Sequence, residues 1–330
     1  MSHLIAVFSD PHIHDYKQFS SGNARLDNCL LAVSRLWELC HRNGIKTILF
    51  PGDWYDQMKV LPTLAVNRSV ALLYELSQKY PEIVCLAISG NHDMATKNTP
   101  QTPAVTALQH LDQVCPTFKL IDNRQFKIDK YDTLVIGIPY YEYPQHFEQA
   151  LNLAYIKAVE YKAQVASPVI LMIHQTPKGI FNEAIPWDTD PTDPLYEPFD
   201  LVLCGHIHDH QIVNDKFVVV GSPLHRDLGD VGKDKGYLIF DLHSLDEGFQ
   251  FVPTKFPQFK RHAMELGEAL PQSTDYLVPA YRDTRVTDVE VSSSSDFSAD
   301  LSPEELITNY WQEADGKNTA LLTFGLSLLN

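Results

Sequence analysis

The chain has 330 residues, 44% hydrophobic and 21% charged, with a formal charge of −16 at pH 7. That length and composition exclude a wholly disordered chain and suit one large domain with an appendage. The negative charge excludes a protein that holds nucleic acid by its own summed field, so a role on nucleic acid requires metal ions, a local basic patch or a partner.

The opening "MSHLIAVFSDPH" has no basic stretch ahead of a long apolar one, and no later run reaches the ~18 apolar residues of a membrane span. A soluble, cytoplasmic, non-membrane chain is expected. Cys29, Cys40, Cys85, Cys115 and Cys204 are odd in number, never spaced C-x-x-C and mostly set in apolar segments. They are expected to be buried, reduced thiols.

In chain order, "HLIAVFSD" reads as a short buried strand, "ARLDNCLLAVSRLWELCHRNG" as an amphipathic helix closed by Gly44, and "IKTILFPGD" as a second strand. "LPTLAVNRSVALLYELSQKYP" then reads as a helix whose apolar stripe is core, and "EIVCLAISGNHD" as a strand. This alternation predicts parallel β-α-β units. Further strands are expected at "DTLVIGIPYY", "PVILMIHQTP", "FDLVLCGHIH", "KFVVVGSP" and "KGYLIFDL", with a helix at "HFEQALNLAYIKAVEYKAQ". Strands dominate from about residue 165, which predicts two sheets in a layered α/β sandwich.

Residues 1–245 therefore read as the main domain and 246–291 as a short cap-like region where the pattern weakens. Residues 292–301 are a polar, Ser-rich linker. Residues 302–330 open with Ser302 as a helix N-cap and Pro303 at the first helical position, predicting a small helical element.

At the ends of the buried strands, ligand-type residues fall in a fixed order. They are "SDPHIHD" with Asp10 and His12, "PGDWYD" with Asp53 and Asp56, "SGNHD" with Asn91 and His92, "MIHQTP" with His174, and "CGHIHDH" with His206 and His208. Alone, each piece reads equally well as a capping Asp or a satisfied core His. Their shared context changes the weighing, because binding sites in α/β folds form outside the carboxyl ends of strands.

Carboxylates and imidazoles with one amide and no thiolate suit divalent ions such as Mn²⁺, Fe²⁺ or Zn²⁺, with Mg²⁺ also possible. These candidates are too many for one ion. They suit two ions about 3.5–4 Å apart, bridged by one carboxylate, an arrangement that clamps an in-line displacement at phosphorus.

The blocks resemble the calcineurin-like metallophosphoesterases, whose signature is D-x-H, G-D-x-x-D/H, G-N-H-D/E, a lone His and G-H-x-H. The resemblance spans roughly residues 1 to 245 and implies an αββα sandwich of two mixed sheets flanked by helices, with a small C-terminal appendage. It implies that Asp10, His12 and His208 hold one ion, that Asn91, His174 and His206 hold the other, and that Asp53 bridges them. It also makes His92 a general acid or phosphate-contacting group, with Asp93 behind it as the orienting carboxylate. Imidazole is the side chain that titrates near neutrality, which suits it to protonate a leaving alkoxide. Gly90 and Gly205 are expected to let the turns pass close to the ions.

"GDWYDQM" and "GNHDMA" depart from the Ser/Thr protein phosphatase pattern, lacking the Arg that grips a phosphate monoester. "VVVGSPLHRDLGDVGKDKGYLIFDL", residues 218–242, is instead similar to the segment after the last metal motif in the SbcD family. That family comprises the nuclease subunits of double-strand-break repair complexes, including phage recombination nucleases. Asp56 stands where bacterial-type members also have Asp, and is expected to tune the site or contact the substrate strand.

Residues 302–330 are similar to the family's helical element that docks on an SbcC-type, SMC-like ATPase. The resemblance thus implies DNA, that ATPase and a second copy of the chain as partners, Mn²⁺ as the preferred ion, and the cytoplasm (the host's, for a phage protein) as location. The alternative is a stand-alone phosphodiesterase for nucleotides or other small phosphoesters, which needs no ATPase. A non-catalytic module on the same fold would show eroded ligands, and here all are present. His14, His210 and His225 are expected in loops or supporting roles, with His225 and Arg226 also placed to contact DNA. "YYEYP", residues 140–144, reads either as a base-stacking segment or as a surface loop.

Overall fold

In the strand β1 (Leu4–Val7) successive side chains point to opposite sides, and both sides are apolar. Ile5 and Val7 enter one core, Ala6 and the following Phe8 another. The same two-sided burial holds in β2 (Thr47–Phe50) and β3 (Val84–Ala87), which extend β1 in parallel. A sheet buried on both faces must be covered on both. Helices α1 (Ala24–Asn43) and α2 (Thr63–Lys79) cover one face with Leu26, Val33, Trp37, Leu73 and Leu76. The other face packs on a second sheet through Leu49, Leu86, Ile170, Met172 and Leu203.

The computed structural model describes residues 3–58, 60–128, 131–180, 186–264 and 269–281. The expected linker at 292–301 and helical element at 302–330 lie outside the described residues. The first sheet has the order β12-β11-β1-β2-β3-β4, where β4 is Phe118–Leu120, β11 is Gly236–Asp241 and β12 is Gln250–Pro253. Its β1–β4 strands are parallel, while β11 runs antiparallel to β1 and β12 to β11.

The second sheet contains β5 (Gln125–Ile128), β6 (Thr133–Ile138), β7 (Val169–His174), β8 (Leu201–Gly205), β9 (Gln211–Ile212) and β10 (Phe217–Val219). Their order is β5-β6-β7-β8-β10-β9, parallel in the centre with antiparallel edges. Helix α4 (Pro144–Gln164) covers its outer face with Phe147, Leu151, Ala154 and Ala158.

The architecture is thus the expected αββα sandwich of two mixed sheets. The first sheet continues past residue 245 by taking in β12. A short helix α3 (Leu108–Val114) and a parallel pair, β13 (Phe259–Met264) with β14 (Tyr276–Tyr281), complete the described α-helices and strands.

Helix α1 stops at Gly44, whose φ of 67° allows the Ile45 amide to turn back onto the Cys40 carbonyl at 2.9 Å. All five cysteines are buried and free, and burial pushes the Cys29 and Cys40 thiols up to about 12. Among the described residues no helix is long and apolar enough to cross a membrane.

Candidate metal centre

Parallel strands of both sheets end on the same side, and the seven predicted ligands come together there. Asp10 and His12 follow β1, Asp53 follows β2, Asn91 follows β3, His174 ends β7, and His206 and His208 follow β8. Asp10, His12 and His208 bring their ligand atoms within 4.8 Å of one another, as do Asp53, His174 and His206. His12 Nε2 lies 3.0 Å from His208 Nε2 and 3.8 Å from Asp10 Oδ1. Asn91 Oδ1 lies 2.9 Å from His206 Nδ1 and 3.1 Å from His174 Nε2. Asp53 stands between the groups, with Oδ2 3.6 Å from His12 Nε2 and 3.3 Å from His174 Nε2.

A hydrogen bond at the back of the His174 ring sets which nitrogen faces inward. His174 Nδ1 lies 2.7 Å from the Pro51 carbonyl, so the neutral ring presents the Nε2 lone pair to the oxygens of Asp53 and Asn91. That lone pair then converges with Asp53 Oδ2 and Asn91 Oδ1, a set that a divalent cation satisfies. Burial lowers the His174 imidazole, but the carboxylates of Asp53 and then Asp10 outweigh it and raise it to about 9. The pull that draws a proton there draws a metal ion too. Burial raises Asp10 to about 7, against the charge of His174 and with that of Asp53. Burial, reinforced by His174 and His12 respectively, lowers His206 to about 3 and His208 to about 2, leaving both as neutral donors at pH 7.

The backbone is bent to make this possible. Asp10, His12, Asp53 and His206 have φ of 55°, 44°, 59° and 82°, in the left-handed region that non-glycine residues seldom occupy. Gly90 and Gly205 are needed for clearance. A Cβ on Gly90 would sit 2.1 Å from Asp53 Oδ1, and one on Gly205 would sit 2.2 Å from the Pro51 carbonyl oxygen.

Asp93 does not stand behind His92. Its carboxylate accepts the backbone N–H groups of Asp53, Trp54, Tyr55 and Gly90 at 2.9, 2.9, 3.1 and 3.0 Å, so it fixes the turn that presents Asp53. The His92 ring is held by the Asp56 carbonyl through Nδ1 and lies edge-on to His12, with centroids 4.8 Å apart. The His92 amide donates to Asp53 Oδ1 at 2.8 Å.

Asp56 is buried, and its contacts fit the first of its two expected roles, tuning the site. Oδ1 lies 3.3 Å from His12 Nδ1 and 2.9 Å from Arg226 Nε, while the Tyr16 hydroxyl donates to Oδ2. Burial works against its charge, yet His12, Tyr16 and Arg226 hold its carboxyl well below the usual carboxylate range. A carboxylate behind a ligating His fixes the ring and its tautomer. Asp56→Asn is therefore expected to weaken metal binding by roughly 10- to 100-fold in a calorimetric titration. Unchanged affinity would remove this role.

Sequence reasoning missed the parts of this arrangement that are backbone groups or distant partners, namely the Pro51 and Asp56 carbonyls, Tyr16, and Arg226 as the partner of Asp56. His14 Nδ1 accepts the Tyr16 amide at 3.1 Å, His210 Nδ1 donates to the Val219 carbonyl at 2.9 Å, and His225 Nε2 donates to the Lys233 carbonyl at 3.0 Å. These three stand outside all three clusters of candidate ligand atoms, the third being His12, Asp56 and His92.

The fold and the carboxylate–imidazole centre define a metal-dependent phosphoester hydrolase. Residues 3–210 match the family model of the calcineurin-like phosphoesterases, and the chain belongs to that family. No curated protein matches the chain. Among solved structures, the crystal structure of TT1561 of Thermus thermophilus is similar at 15% identity, covering 77% of this chain and 100% of that one with a TM-score of 0.48.

Proposed function

We propose that this phosphoesterase is a two-metal DNA phosphodiesterase, with exo- and endonuclease action, serving as the nuclease subunit of an SbcCD-like complex. In this reading it works in the cytoplasm (the host's, for a phage protein) as a homodimer bound through its C-terminal region to an SbcC-type ATPase. The observation that supports it is the attachment of residues 221–236. The Ser222 amide and Lys235 Nζ both donate to the His208 carbonyl, at 3.0 and 2.7 Å. Lys235 also pairs with Asp230 at 2.6 Å, and Asp230 Oδ2 accepts the Arg226 amide at 2.6 Å. The G-S-P and K-G residues that carry the similarity to SbcD nucleases therefore hold the last ligand-bearing turn.

Asp10, His12 and His208 would hold one ion, Asn91, His174 and His206 the other, and Asp53 both. Mn²⁺ is the proposed ion. When bound, divalent ions acidify water and offset the negative charge that gathers at phosphorus. His92 keeps Nδ1 on the Asp56 carbonyl and gives its Nε2 proton to the leaving sugar oxygen. Arg226 is engaged by Asp56 and so is not free to grip a phosphate monoester.

The formal charge of −16 favours a second reading, a stand-alone phosphodiesterase for nucleotides or other small phosphoesters. Mn²⁺-dependent degradation of end-labelled duplex and hairpin DNA is expected, and its loss in Asp53→Ala ties it to this centre. Hydrolysis of bis-p-nitrophenyl phosphate with DNA untouched, even with a candidate ATPase added, would overturn the nuclease reading.

A further inference from the structure

Beside Asn91 lies a cavity of about 380 Å³, bordered by Met58, Met94, Lys97, Tyr140 and Glu142. That volume lies within the range of small-ligand pockets, about 300–1,000 Å³. It shares a wall with the metal centre, since Asn91 bridges the His174 and His206 side chains. The ring of Tyr140 borders the cavity and lies against the His206 ring, with centroids 5.9 Å apart and planes 28° apart. It meets the His174 ring edge-on at 6.3 Å.

The charges along this cavity decide what it suits. Lys97 Nζ is 2.6 Å from Glu142 Oε1 and 3.2 Å from the Tyr143 hydroxyl, so the lysine at the rim is already neutralised. A second phosphate would find no unpaired cation among the described lining residues. Besides the uncharged Asn91, Ala95, Thr96 and Asn98, the surface offers an aromatic ring and two thioethers, with Met94 buried and Met58 half exposed at the rim. Flat, neutral, polarisable groups favour such surfaces.

We infer that this cavity is the subsite for the nucleoside next to the scissile phosphate, with Tyr140 as the stacking wall that sets the preference for nucleoside esters. The inference rests on the phosphodiesterase reading of the adjoining centre and gives it a substrate class. The Tyr140 amide donates to the Ser89 carbonyl at 3.0 Å and its carbonyl accepts from Asn98 Nδ2 at 3.4 Å, so the ring is carried on a backbone tied to the β3 end. Its placement is therefore coupled to the turn that bears Asn91.

The test compares thymidine 5′-(p-nitrophenyl phosphate) with methyl p-nitrophenyl phosphate, which shares the reacting group and lacks the base. The wild-type enzyme is expected to prefer the nucleoside ester. Tyr140→Ala is expected to lower that preference about tenfold, mainly through KM, and Tyr140→Phe to restore it. Met58→Asp, a change on the exposed rim, is expected to reduce the same preference. Equal losses on both esters would assign Tyr140 to holding His206 and overturn the subsite, as would an unaltered preference. Wild-type enzyme that degrades DNA but treats both esters alike would keep the nuclease and remove the subsite. Preference for the nucleoside ester with DNA spared would do the reverse.

Discussion

Replacing Asp53 by Asn is expected to lower kcat/KM on any phosphodiester by about 10³-fold or more. Asp53 is the residue within 4 Å of an inward nitrogen in both groups, through His12 at 3.6 Å and His174 at 3.3 Å. Its other oxygen accepts the His92 amide at 2.8 Å, so a single carboxylate ties the two groups to the proposed acid. Asn is the informative substitution because its φ of 59° is one that Asn tolerates and most residues do not. The turn should survive while the charge goes. Metal analysis of the purified variant is expected to show fewer than two bound ions. Activity within tenfold of wild type would mean that Asp53 does not bridge.

His92→Ala is expected to separate chemistry from metal binding. On DNA, whose leaving group is an alkoxide, the loss should be roughly 10²- to 10⁴-fold, the usual contribution of general acid catalysis. On bis-p-nitrophenyl phosphate the leaving phenolate needs no proton, and the loss should stay below about tenfold. Metal content should not change, because His92 touches the centre through ring contact with His12 and its amide, not as one of the seven predicted ligands. Equal losses on both substrates would move His92 from proton donor to phosphate contact.

The layers of the fold are readable in the sequence because the central strands are buried on two faces. Runs such as "LIAV", "TILF" and "VILMIH" have no polar alternation to disguise them, and each ends on or shortly before a predicted ligand. Strand β5 is invisible to that rule, since Gln125 and Lys127 are exposed on a sheet edge. The pair β13 and β14 is equally hard to read. Phe259 and Tyr276 gain their place by flanking Arg25, with ring centroids 5.2 and 5.4 Å from its guanidinium carbon, and Arg25 in turn donates to the Arg226 carbonyl at 2.7 Å.

At the site, residue type and order were enough to assemble the seven ligand candidates. The roles of Asp93 and Asp56 were not legible, because each depends on which way a carboxylate turns from its own backbone. Asp93 turns toward four amides of neighbouring turns, and Asp56 toward His12 and Arg226. A side chain adjacent in sequence to His92 was thus less relevant to its ring than a carbonyl 36 residues away.

The four predicted ligands with left-handed backbone bear on how the protein would acquire its ions. Each such conformation costs on the order of 1–3 kcal/mol, and at Asp53 it is held by the amides gathered on Asp93. Small metal-clasped domains fold only as the ion enters. A receptacle shaped by folding itself would let ions load, leave and exchange by binding and release on a standing framework.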